Sequence, residues 1–111
     1  MSLDKVALLA EMALKTETVS LPSGSVMLSE LSAESYMDAY ESPLAKDATG
    51  AYSGVRFTAL LVARCAVDDA GNRILSDEDA DTFRAGSSGT FRKLSEAVNR
   101  LNGLAGDEIK N

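Results

Sequence analysis

The chain has 111 residues, 45% of them hydrophobic and 25% charged, and a formal net charge of -6. That length and balance predict one soluble domain whose core needs neither disulfides nor metals. The negative charge argues against non-specific nucleic-acid binding and against an acidic membrane surface, since both require positive charge to meet phosphate.

The charge is uneven. Met1–Val55 carries eight acidic and three basic residues, whereas Arg56–Asn111 carries nine and eight. The single cysteine, Cys65, excludes an intramolecular disulfide and suits a reducing cytosol. The N-terminal MSLDKVALLAEMALKTE is amphipathic and contains acids. It lacks the basic start and clean apolar run of a signal peptide, so none is expected.

Asp4 to Leu14 has helical spacing, with Val6, Leu9 or Ala10, and Ala13 on one face and Ser2 as a candidate cap. This helix either docks on the core or offers an apolar arm to another subunit. From Glu17 to Leu31 two short alternating runs flank Pro22-Ser23-Gly24-Ser25, the pattern of a β-hairpin. Two strands alone are marginal, so the hairpin must lean on helices or on another chain. Ser32 has the position of an N-cap, with Leu31 and Tyr36 as a hydrophobic staple, and a helix follows from Ala33 to about Ser42, where Pro43 stops it. Ser42–Gly54 is rich in small and polar residues and reads as a loop.

Val55–Val67 is apolar on nearly every side, interrupted only by Arg56, Thr58 and Arg64. Such a helix belongs in the middle of a fold and is too short and too charged to span a bilayer. Asp68–Asn72 follows as a tight turn, then Arg73–Leu75 as a short extended step. Ser76 with Asp79 forms an acidic capping box, and Asp77, Glu78 and Asp79 oppose the positive end of the next helix, which Gly86 ends. The last helix begins at Ser87 or Ser88 and turns Phe91, Leu94, Ala97, Val98 and Leu101 inward. Asn102-Gly103 supplies a left-handed stop, and residues 105–111 read as a short polar, flexible tail. The fold class expected is mainly α with an α+β character: a small helical domain with a short N-terminal β-hairpin, spanning 1–111.

The chain offers little to catalysis. It has no histidine, which removes Ser-His and Cys-His nucleophilic systems and the commonest metal ligand. DDAGNRILSDED superficially resembles a calcium loop. Starting at Asp68, however, it puts Ala70 third, Arg73 sixth and Asp79 twelfth, where a ligand, a glycine and a bidentate Glu are needed. Asp77, Glu78, Asp79 and Asp81 read as a solvated helix start, and Arg84, Arg92, Lys93 and Arg100 as a solvated face or a contact for an acidic partner. No catalytic, cofactor-binding or metal-ligating residue is assigned, and no cofactor is expected.

The stretch GVRFTALLVARCAVDDAGNRILSDEDADTF, followed by an amphipathic helix ending RLNGL, resembles tail assembly chaperones of long, flexible-tailed (siphovirus, lambda-like) bacteriophages and prophages. The resemblance is carried by the apolar helix ending Val67-Asp68-Asp69, by Gly71-Asn72, by Leu75-Ser76-Asp77-Glu78-Asp79 and by Leu101-Asn102-Gly103-Leu104. It covers the C-terminal half well and the N-terminal half, through LSELSAESYMDAY, more loosely. It implies a non-enzymatic factor in the host cytoplasm that binds the tape measure protein and keeps it soluble. Such a factor promotes polymerisation of the tail tube around the tape measure and is absent from the mature virion. It also implies contact with the major tail tube protein through a frameshifted longer product, and self-association into open spirals. Met12, Tyr36, Met37 and Tyr40 are the candidate partner-binding residues, because Met and Tyr adapt to varied surfaces; the equally weighted alternative places all of them in the core of the single chain. The alternative is a small helical adaptor or regulator that binds one host protein. A small hydrolase or metal enzyme ranks far below both.

Overall fold

The computed structural model describes residues 2–103. The tail expected at residues 105–111 lies outside them. Three antiparallel strands and five α-helices follow in the order α1 (Lys5–Glu11), β1 (Thr16–Leu21), β2 (Gly24–Ser29), α2 (Ala33–Glu41), α3 (Gly54–Cys65), β3 (Ala66–Val67), α4 (Ala80–Ala85) and α5 (Ser88–Leu101). The α+β class and the N-terminal hairpin are as the patterning predicts.

α3 is the centre. Ser53 Oγ accepts from the Arg56 amide at 3.3 Å and sets its start. Phe57, Ala59, Leu60, Leu61, Val62, Ala63 and Cys65 are buried, so neighbours cover the helix on more than one side. On one side it meets Val19 and Leu28 of the hairpin and Leu94, Ala97 and Val98 of α5. On another, Ala59 and Ala63 meet Ala80 of α4, with Leu75, Phe83 and Phe91 filling around them. Small residues at Ala59 and Ala63 let α4 approach closely. Burial pushes the Cys65 thiol up to about 11, so it is a core atom and not a nucleophile at neutral pH.

The helix ends two residues before its apolar run does. Ala66 leaves helical space at φ -72°, ψ 120°, and Leu28↔Ala66 and Met27↔Val67 make β3 the third strand of the sheet β1-β2-β3. An apolar run buried on all sides has no period to separate helix from strand, which is why the expected helix ran to Val67. The Asp68 turn locks the exit: Asp68 Oδ1 accepts from the Ala70 and Asn72 amides, both at 2.9 Å, and Gly71 takes φ +84°. Only glycine adopts that dihedral without strain.

Other boundaries differ in detail. Asp4, not Ser2, caps α1, accepting from the Ala7 amide at 2.8 Å. The loop before α3 contains a 3-10 turn, Pro43–Ala45, capped by Ser42, and a bridge between Lys46 and Tyr52. Asp47 organises that loop by accepting from Thr49 and Ala51. The Thr49 hydroxyl bond is the main reason its carboxyl sits below the ordinary aspartate range. Ser76 and Asp79 form the expected capping box, over a 3-10 turn at Asp77–Asp79 that leads into α4. Ser87 caps α5, and Gly103 takes φ +79° beyond it.

Candidate functional site

Most charged side chains of the C-terminal half are used within the chain. Arg64 is the clearest case. Its guanidinium donates to both carboxylate oxygens of Asp77, at 3.2 and 3.0 Å, and to Asp38 at 2.8 Å. Arg73 donates to the same Asp77 at 2.9 Å. Asp77 is therefore not a solvated helix-start acid as expected. It is a half-buried clasp between α3 and the Asp77–Asp79 turn, and Arg64 above all holds its carboxyl below the ordinary range. Arg100 pairs with Glu17, Arg84 with Asp81, and Lys93 donates to the Ser20 carbonyl. The basic residues read as a solvated face are exposed on α5 at Arg92, Lys93 and Arg100, and Lys93 and Arg100 also tie α5 to β1 while Arg84 closes a helix turn. Among the described residues no group of three or more His, Cys, Asp or Glu is placed to hold a metal ion.

The N-terminal half is different. α1 buries no residue. Val6 is 79% exposed, Leu9 59% and Met12 66%, and Leu3, Leu8 and Leu14 are more than half exposed. The amphipathic pattern that forms the helix therefore has its apolar side turned to the surface. At its root, Lys15 and Glu30 exchange bonds: the Glu30 amide donates to the Lys15 carbonyl at 2.8 Å, and the Lys15 amide to the Glu30 carboxylate at 3.1 Å. Beyond that root, α1 is an arm.

Beside the arm lies a groove of about 420 Å³. Leu31, Ala33, Tyr36 and Met37 line it together with Met12 and Leu14. Asn102 lines it too. That side chain accepts from the Leu31 amide at 3.1 Å and donates to the Val98 carbonyl at 2.8 Å, so the end of α5 is tied to the start of α2. Three of the four predicted contact residues, Met12, Tyr36 and Met37, come together here. Tyr40 does not line the groove. It stacks at 5.1 Å on Tyr52, and Phe57 meets Tyr36 at 5.5 Å and Tyr40 at 5.6 Å, both edge to face. Tyr40 and Tyr52 remain 45% and 49% exposed, so they extend the apolar surface from the groove along α2. Burial, with the neighbouring phenols, raises the Tyr36 pKa, so it stays a neutral, half-buried wall.

Sequence reasoning missed Leu14, Leu31, Tyr52 and Asn102 as parts of this surface. Leu31 and Asn102 had local explanations, as staple and helix stop, and their pairing spans most of the chain. No helix among the described residues is long and apolar enough to cross a membrane. No protein-family model, curated protein or solved structure matches this chain.

Proposed function

We propose that this protein is a non-enzymatic tail assembly chaperone. It binds the phage tape measure protein, keeps it soluble, and promotes polymerisation of the tail tube around it. The observation that carries this reading is the apolar arm α1 beside the apolar groove at Tyr36 and Met37. Exposed apolar surface of this kind marks interaction sites, and a shield for another protein's apolar stripes requires it. The sequence resemblance names the class of partner. In this reading the tube protein is a second partner, reached through a frameshifted longer product. Copies associate head to tail through contacts that do not close, giving a spiral. The protein works in the host cytoplasm, stays out of the mature virion, and binds neither nucleic acid nor membrane.

The test is co-expression with a long helical tape measure protein, sought among the genes neighbouring this one. The chaperone reading expects that protein to move from the insoluble to the soluble fraction and to co-purify with this chain. Unchanged insolubility, or capture of one host protein in its place, overturns the reading and leaves the adaptor alternative.

A further inference from the structure

The apolar surface carries a charge pattern of its own. Glu11 and Glu30 stand among the residues lining the groove, and no lysine or arginine does. Along α2, Ala33, Met37 and Tyr40 form an apolar row that Leu44 continues past Pro43. Glu34, Asp38 and Glu41 run beside it at the same helical spacing, all exposed. Of these five acids only Asp38 joins an ion pair among the described residues, with Arg64. By contrast, Glu17, Asp77 and Asp81 elsewhere in the chain are each paired with arginine. The apolar lane is therefore flanked by four carboxylates, Glu11, Glu30, Glu34 and Glu41, that join no ion pair among the described residues, although Glu30 also accepts from the Lys15 amide.

We propose that this lane takes an amphipathic helix of a partner whose apolar stripe is bordered by lysines or arginines. The proposal deepens the chaperone reading and rests on it only for the owner of that helix, a segment of the tape measure protein. α2, Ala33–Glu41, spans about 12 Å of helical rise, and Leu44 and the groove extend the lane beyond it, so it suits about three turns of partner helix. Apolar side chains enter between Met12 and Met37. Lysine or arginine stems lie along the row with their heads at Glu11, Glu30, Glu34 and Glu41. The carboxylates then set which helices approach and in which orientation, while the groove holds them. A second copy of α1 is the weaker occupant: its own charges, Asp4, Lys5, Glu11 and Lys15, carry no cationic excess, and each copy bears a net charge of -6.

The probe is a labelled Leu/Lys amphipathic helical peptide of about 18 residues, with a Leu/Glu peptide of the same apolar stripe as its counterpart. Anisotropy titrations use the full chain at roughly 50 and 300 mM salt. The lane predicts that the Leu/Lys peptide binds at least about tenfold tighter than the Leu/Glu peptide and loses affinity at high salt. Met37→Asp, at a half-exposed position where the fold survives, weakens it about tenfold or more. Glu11→Gln with Glu30→Gln weakens it severalfold and flattens the salt dependence, while Glu96→Gln on α5 leaves it unchanged. Equal binding of the two peptides overturns the proposal. So does a Met37→Asp variant that melts normally and binds as wild type, or a Glu96→Gln loss as large as that at Glu11 and Glu30. Absence of binding, together with an oligomer that Met37→Asp dissociates, assigns the lane to a second copy and also overturns it. If the peptide results hold but co-expression fails, the lane stands and the chaperone reading falls. The reverse pattern sinks the lane alone.

Discussion

α3 and α1 are both rich in Leu, Ala and Val, yet α3 buries seven residues and α1 none. The difference lies in what surrounds them. α3 has the hairpin and α5 on one side and α4 on another, and Arg64, its charged interruption, is absorbed by Asp77 and Asp38. α1 has one apolar face, a cap at Asp4, and a root at Lys15 and Glu30. A helix of seven residues is marginal in water by local forces alone. Apolar composition therefore sets which surfaces seek cover, and topology decides which of them find it within the chain. The unmet demand of α1 is what the proposed binding role rests on.

The sharpest test of that comparison is truncation in α3. Leu61 is fully buried, and Leu61→Ala is expected to cost about 2–5 kcal/mol in urea unfolding. A loss below about 1 kcal/mol would mean the α3 packing described here is wrong.

Next in size is the clasp that lets α3 keep a charge. Asp77→Asn is expected to cost about 1–3 kcal/mol at neutral pH, through charge-assisted bonds to Arg64 and Arg73. The pH dependence has a definite sign. The folded-state pKa of Asp77 lies below its unfolded value, so the stabilisation is complete above about pH 4 and is lost as pH falls through the folded value. Wild type and Asp77→Asn should therefore converge in acid. A gap that stays constant from neutral pH down through the acid range would show that the carboxylate's charge is not the cause.

Much of this architecture was legible because local chemistry and tertiary packing agree. Ser32, Ser76 and Gly86 punctuate helices where caps and stops are expected, and the period of Leu94, Ala97 and Val98 gives the buried face of α5. What stayed hidden depends on distance in sequence. Arg64 meets Asp38 and Asp77, and Asn102 meets Leu31, only after the fold has formed. β3 stayed hidden for another reason: Ala66 and Val67 are buried either way, so pairing with β2 leaves no mark on the pattern. For the candidate site, residue type pointed to Met12, Tyr36 and Met37. Whether they faced the core or the surface depended on the course of α1, which no periodicity reports.

The smallest expected effects are on α1, and they bear most directly on its role. Leu9→Ala should change stability by less than about 0.5 kcal/mol, because the side chain is already 59% exposed. Amides of Lys5–Glu11 should exchange with solvent near the rates of an unprotected peptide, while those in the buried part of α3, from Ala59 to Cys65, exchange only through global unfolding. Adding the Leu/Lys peptide should slow exchange in Lys5–Glu11 and leave Ala59 to Cys65 governed by the same unfolding step. If α1 were a structural helix, Leu9→Ala would lower the melting midpoint as a core truncation does, and its amides would be protected without a ligand. Protection that appears only with a partner separates a helix completed by binding from one completed by folding.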